Sequence, residues 1–145
     1  MTDEAQRLAE KCSKLMYAED SASRQLGMVI DAIGPGTAQL SMPVRKDMVN
    51  GHGLCHGGFI FTLADSTFAF ACNSYNQVTV AESCHISYLA PAREGDLLTA
   101  TAREVVREGR NGLYDVRVVN QDGQVIAEFR GKSRTISGTL VDDET

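Results

Sequence analysis

Residues 58–73 read GFIFTLADSTFAFACN, with phenylalanines at 59, 61, 68 and 70 and apolar side chains on nearly every face of the helix they would form. A helix that is hydrophobic all round has no side to turn to water and has to be buried. The rest of the chain must therefore enclose it. Its few polar residues, Thr62, Asp65, Ser66 and Asn73, recur at spacings of three, four and seven, which predicts a single narrow polar stripe.

The flanking sequence supplies the enclosure. Residues 3–17 place Ala5, Leu8, Ala9, Cys12, Leu15 and Met16 at helical spacing, with Thr2 or Asp3 as N-cap, which predicts an amphipathic helix on the outside of the fold. Strand-like segments at 28–33 and 37–43 flank Gly34-Pro35-Gly36 and read as a hairpin. After the apolar helix come four more strand-like segments, 78–89, 97–107, 113–120 and 125–136, the last three joined by hairpin connections. Two strands, a buried helix and four strands give an α+β pattern in which an antiparallel sheet wraps one long central helix.

At 145 residues the chain is read as one domain, large enough for a core without disulfides or a structural metal. A net charge of −5 argues against a nucleic-acid partner, although local basic stripes can still hold phosphates. There is no charged and then apolar leader at the N-terminus and no apolar run long enough to span a bilayer, so a cytoplasmic protein without membrane association is expected. Cys12, Cys55, Cys72 and Cys84 are widely spaced, form no CxxC pair, and are read as reduced thiols.

The chemistry concentrates where the loop Asn50-Gly51-His52-Gly53-Leu54-Cys55-His56-Gly57-Gly58 runs into the apolar helix. The first N–H groups of a helix have no intrahelical partner, and glycines let a ligand approach them. For a carbonyl substrate such as a thioester, the Gly57 N–H would meet the developing oxyanion, Asp65 would act as nucleophile or base, and Asn50 would orient water or the carbonyl. Eight residues separate Gly57 from Asp65, roughly 12 Å at about 1.5 Å per residue, too far for one carbonyl to touch both. If both act on one thioester, Asp65 comes from a second copy of the chain, with the two buried helices antiparallel in an obligate two-fold dimer.

Each of these residues also has a purely structural reading. Gly57 and Gly58 mark a tight loop-to-helix junction, Asn50-Gly51 is a common turn dipeptide, and Asp65 fits a solvated stripe. Against the last, an isolated carboxylate among phenylalanines is costly to bury unless it is paired or functional. His52, Cys55, His56 and Asp65 match no zinc spacing, so no metal is assigned. Cys55 and His56, as sequence neighbours, point apart, and His56 is expected mainly to shape the loop.

On the last strand Arg130, Lys132 and Arg134 alternate with Phe129, Gly131 and Ser133, which puts three cations on one face. Such a stripe is a solvent-facing side or an anion site, and Arg107 and Arg110 nearby strengthen the second reading.

Asn50-Gly51-His52 through His56-Gly57-Gly58, completed by Ala64-Asp65, resembles the motif of the hotdog-fold acyl-CoA thioesterases, and in particular those of phenylacetic acid degradation. The resemblance extends to Phe68-Ala69-Phe70-Ala71-Cys72-Asn73-Ser74, Tyr114-Asp115-Val116 and Phe129-Arg130-Gly131-Lys132-Ser133, and so covers most of the chain. It implies hydrolysis of phenylacetyl-CoA or its ring-hydroxylated relatives without metal or redox cofactor, in a homotetramer of two dimers. Gly57 would be the oxyanion donor, Asn50 would place the thioester or water, and Asp65 of the facing subunit would be nucleophile or base. His56 and Gly58 would line the substrate site, and Arg107, Arg110, Lys132 and Arg134 would bind the coenzyme A phosphates. The alternatives are a non-catalytic acyl-CoA sensor on the same fold and a hydratase or dehydratase, the latter generally pairing a carboxylate with a catalytic histidine.

Overall fold

The computed structural model describes residues 2–142. In order, they form helix α1 (Asp3–Glu19), a short helix α2 (Ser21–Gln25), strands β1 (Val29–Gly34) and β2 (Thr37–Pro43), helix α3 (Gly57–Cys72), and strands β3 (Thr79–Tyr88), β4 (Leu97–Glu108), β5 (Asn111–Val119) and β6 (Val125–Thr135). The six strands make one antiparallel sheet in the order β1-β2-β4-β5-β6-β3. The sheet curls around α3, as the all-round apolarity of that helix demands. None of the described helices is long and apolar enough to cross a membrane.

Alternation along the strands builds the core. Leu40 and Met42 of β2, Leu98, Ala100 and Ala102 of β4, Tyr114, Val116 and Val118 of β5 and Phe129 of β6 are buried against Leu63, Phe68 and Phe70 of α3. Phe68 is the hub: its ring centroid lies 5.6 Å from that of Tyr114 and 5.7 Å from that of Phe129. Such pairs contribute about 0.5–1.5 kcal/mol each beyond the area they bury. Gly131 on β6 is what lets Phe68 approach, since a Cβ there would lie 2.7 Å from the ring.

The two edges of the sheet differ. At β1 the edge is tied to α1: Gln6 Nε2 donates to the Ile33 carbonyl (2.7 Å), and Tyr17 Oη donates to Met28 just before the strand (2.7 Å). The other edge, β3, is open. Only Thr79 at its start is buried, and Val80 and Tyr88 are 44 % and 50 % exposed.

The expected elements are present, with boundaries shifted by a residue or two. The short α2 was not expected from the sequence. It forms because Asp20 caps it, its carboxylate accepting from the Ser23 N–H (3.0 Å) and hydroxyl (2.6 Å). In the loop between α3 and β3, Asn76 adopts a left-handed backbone (φ 61) and binds residues 140–141. Its Oδ1 accepts from the Leu140 and Val141 N–H groups (both 2.9 Å) and from the Cys12 thiol on α1 (3.8 Å).

The expected polar residues of α3 share one side of the helix, with Thr62, Asp65 and Ser66 half-buried there, but they meet different neighbours. Ser66 turns to α2 and shares a hydrogen bond with Ser23 (2.9 Å), while Asn73 is buried and binds the backbone of Thr79. Thr62 returns its hydroxyl to the Gly58 carbonyl (2.8 Å). Four residues within about 100° of a helical wheel still meet different neighbours when the helix is enclosed, and this separates Asp65 from the others.

Candidate active site

The 50–58 loop is held by its own polar groups. Asn50 Oδ1 accepts from the N–H groups of His52 (2.9 Å) and Leu54 (3.2 Å), so the turn-forming role of this residue is real. Its amide nitrogen is engaged by none of the described residues. Cys55 is buried, its N–H donating to Ala92 (2.8 Å), and burial pushes its thiol up to about 11. A thiol held that far above neutrality is a poor nucleophile. His56 is the exposed N-cap residue of α3, with extended backbone and no side-chain capping bond. Among the described residues no three His, Cys, Asp or Glu side chains converge as a metal site would require.

Because the capping position is empty of any side-chain acceptor, the Gly57 N–H at the head of α3 donates to none of the described residues. It lines a cavity of about 550 Å³ together with Asn50, Leu54, Ile60, Tyr88, Leu89 and the 90–92 segment. Its walls mix polar groups with the apolar side chains of Leu54, Ile60 and Leu89. Tyr88 closes over Gly57: its hydroxyl donates to the Gly57 carbonyl (2.8 Å), and its ring stands where a side chain at 57 would go, 2.9 Å from the position of a Cβ. Gly58 next to it is exposed, with nothing within 4 Å of a Cβ.

Asp65 lies two turns further along α3 and does not line this cavity. It is half-buried, it has no hydrogen-bond or ion-pair partner among the described residues, and burial raises its pKa above the ordinary carboxylate value. Cys84, whose thiol is raised by burial and by the nearby Asp65 charge, faces it from β3. Cys72, two turns further along the same side of α3, is pushed up to about 12 mainly by burial. An unpaired, half-desolvated carboxylate holds its proton more readily than a free one and is a stronger base when ionised.

The basic residues gather elsewhere. Arg134 pairs with Val80 and Asn111 in the sheet register, Lys132 with Ser83 and Leu113, and Arg107 with Gly112, so all lie toward the Thr79 end of β3. Arg110 is in the β4–β5 turn, where its carbonyl accepts from the Thr135 N–H (2.8 Å). Gly57 is beside Tyr88 at the other end, about 26 Å away along eight strand residues at about 3.3 Å each. The Arg107 guanidinium stacks over the Tyr75 ring (3.6 Å to the centroid), and Lys132 is paired with Glu82 and hydrogen-bonded to Asn111 (3.1 Å). Arg130 is bound by Asp115 through two hydrogen bonds (2.7 and 2.9 Å). Of the three cations alternating on β6, only Arg134 makes no salt bridge among the described residues, although its charge helps hold the Glu82 carboxyl below its ordinary value after the larger effect of Lys132.

Within one chain, then, the structure brings together Asn50, Gly57 and the cavity. It keeps Asp65 and the cations apart from them. Tyr88 and the cavity wall at 89–92 were not singled out from sequence. An aromatic residue closing a strand ahead of Pro91 carries no signal of its own, and only the tertiary approach of β3 to α3 reveals it.

The chain as a whole is similar to known proteins. Residues 52–127 match the family model described as the thioesterase superfamily. The chain is 45 % identical over 125 residues to the acyl-coenzyme A thioesterase PaaI of Escherichia coli, covering 86 % of this chain and 89 % of that protein. The structure of the E. coli PaaI protein from the phenylacetic acid degradation operon superposes with a TM-score of 0.92 at 42 % identity, over 94 % of this chain and 99 % of the other. A Streptococcus mutans protein bound to acetyl CoA superposes with a TM-score of 0.74 at 26 % identity, over 79 % of this chain and 91 % of the other. A central apolar helix wrapped by one antiparallel sheet, the matched family model and likeness to PaaI along most of the chain lead to one conclusion: this protein belongs to the thioesterase superfamily, as a PaaI-like hotdog-fold thioester hydrolase.

Proposed function

We propose that the chain hydrolyses acyl-CoA thioesters, with phenylacetyl-CoA and hydroxyphenylacetyl-CoA as preferred substrates, at sites shared between two copies of the chain. One copy supplies the Gly57 N–H to the thioester oxygen and Asn50 to place the thioester or water. The partner copy supplies Asp65, either attacking the carbonyl to form a mixed anhydride and expel coenzyme A as thiolate, or taking a proton from the attacking water. His56 and Gly58 border the substrate at the loop.

The observation that carries this reading is the separation within one chain of two complementary groups. The residue with a free helix-terminal N–H lines a cavity, and a half-buried carboxylate without a partner among the described residues lies two turns away, outside that cavity. The open β3 edge supports an antiparallel pairing of two copies, because unpaired N–H and C=O groups along a strand favour addition of another strand. Such pairing would carry the basic end of one copy toward the Gly57 end of the other, where Arg107, Arg110, Lys132 and Arg134 can meet the phosphates of coenzyme A. Two such dimers would form the tetramer. The apolar cavity wall of Ile60, Tyr88 and Leu89 suits an aryl group.

Thiol release measured with phenylacetyl-, hydroxyphenylacetyl-, benzoyl- and straight-chain acyl-CoA esters tests the substrate class, with the aryl-acetyl esters expected to give the highest kcat/KM. Mixing Asp65→Ala subunits with Asn50→Ala subunits tests the shared site. Recovery of activity in proven heterodimers is expected, and continued inactivity would overturn it. Tight acyl-CoA binding with no turnover of any ester would favour a sensor instead.

A further inference from the structure

We propose that Tyr88 is a positioning and specificity residue of this site: its hydroxyl fixes the first turn of α3, and so the direction of the donor N–H groups, while its ring forms a wall of the acyl cavity. This rests on the reading of Gly57 as oxyanion donor.

The physical problem is that α3 begins with two glycines, the residues with the most backbone freedom to lose on ordering. Nothing lies within 4 Å of a Cβ position at Gly58, its carbonyl is held only from within α3 by the Thr62 hydroxyl, and His56 provides no side-chain cap. A donor that wanders by a fraction of an ångström loses much of its value to a developing charge. Among the described residues, the Tyr88 hydroxyl makes the only side-chain hydrogen bond from outside α3 to the backbone of residues 57–60, at 2.8 Å to the Gly57 carbonyl. That carbonyl shares a peptide unit with the Gly58 N–H, which the bond orients and polarises directly, and it restrains the Gly57 N–H on the other side of the same Cα by fixing the backbone at Gly57.

The same contact explains why residue 57 is glycine. A Cβ there would lie 2.9 Å from Tyr88 Cζ and 3.0 Å from its hydroxyl, so any side chain displaces the tyrosine. Tyr88 is nevertheless 50 % exposed and lines the cavity with Ile60 and Leu89, which is the placement of a wall rather than of a core residue.

Steady-state thiol release separates the two roles. Tyr88→Phe keeps the wall and removes the tether, and a fall in kcat of about threefold to tenfold is expected for every acyl group, with KM within about twofold of the parent, the size expected of one hydrogen bond. Tyr88→Ala removes both, and KM for phenylacetyl-CoA should then rise about tenfold while that for acetyl-CoA moves little. Gly57→Ala should cost about fivefold less in kcat/KM in the Tyr88→Ala background than in the parent, because the clash is gone. A parental kcat in Tyr88→Phe, or equal costs of Gly57→Ala in both backgrounds, would overturn the proposal. Asp65→Asn assayed alongside keeps the cases distinct. If it is inactive while Tyr88→Phe is unaffected, only the role of Tyr88 falls, and if it turns over normally, the underlying site reading falls.

Discussion

The two ends of α3 are built on opposite principles. At its C-terminal end the polar side chains are engaged: Asn73 donates to the Ala69 (2.9 Å) and Thr79 (3.0 Å) carbonyls and accepts from the Thr79 N–H (2.9 Å), and the Ser74 hydroxyl bridges Ala71 (2.7 Å) and Gly36 (2.8 Å). Just beyond, Tyr75 and Tyr114 both donate to Glu104, at 2.8 and 3.0 Å. At the N-terminal end the helix has no side-chain cap, its Gly57 N–H is unpaired, and its glycines adjoin a cavity. A helix with buried termini normally satisfies its end groups. Saturation at one end secures the helix in the sheet and leaves the other end's dipole and donors for a ligand.

The contrast can be broken most forcefully at Asp65, between the two ends. Asp65→Asn is expected to lower kcat by about 10³-fold, the scale of losing a general base or nucleophile, in the thiol-release assay. The same substitution should stabilise the fold. Because burial raises the folded-state pKa of Asp65, the native chain binds that proton more tightly than the unfolded chain. Stability from this group is therefore full at pH below the unfolded value of about 3.9 and is lost as pH rises through the higher folded value. Urea unfolding at neutral pH should show Asp65→Asn above the parent, and a less stable variant would show that the carboxylate has a partner in the assembly. The acid limb of kcat/KM should correspondingly lie above the range of a free aspartate.

At the saturated end, Asn73→Ala should cost about 2–4 kcal/mol in urea unfolding, since it leaves the Thr79 N–H and C=O unpaired in the interior. The kcat of its folded fraction should remain near parental, and a selective loss of kcat would erase the division between the two ends. The smallest effect is expected at Gly58. With open space around its Cβ position and a place in the first turn of a helix, Gly58→Ala should raise stability by up to about 0.5–1 kcal/mol. Destabilisation there would mean that the partner copy or another group fills the space.

Much of this was legible in the sequence because it depends on period and composition. The phenylalanines of 59–70 demand burial, and alternation marks the strands around them. The Asn50 loop, Gly57 and Asp65 stand out as residue types that are unusual in their setting. What escaped depends on register and approach. Nothing local says that β3 lies beside β6 at the edge of the sheet, that Tyr88 then reaches Gly57, or that the β6 cations end at the opposite end of α3. Asn73 was read as a member of a polar stripe because spacing reports direction but not the neighbour waiting there. The Asp20-to-Ser23 pair that caps α2 was visible in principle, but five residues are too few to show an apolar period.

Asn76 binds two distant parts of the chain at once: the Cys12 thiol on α1 and the backbone of Leu140 and Val141. Segments more than 120 positions apart thus share one fastening, which makes them a common unit of local opening rather than two independently fraying ends. Amide protons along the middle of α1 and at 140–141 should exchange with solvent at matched rates, and both should accelerate together in Asn76→Ala.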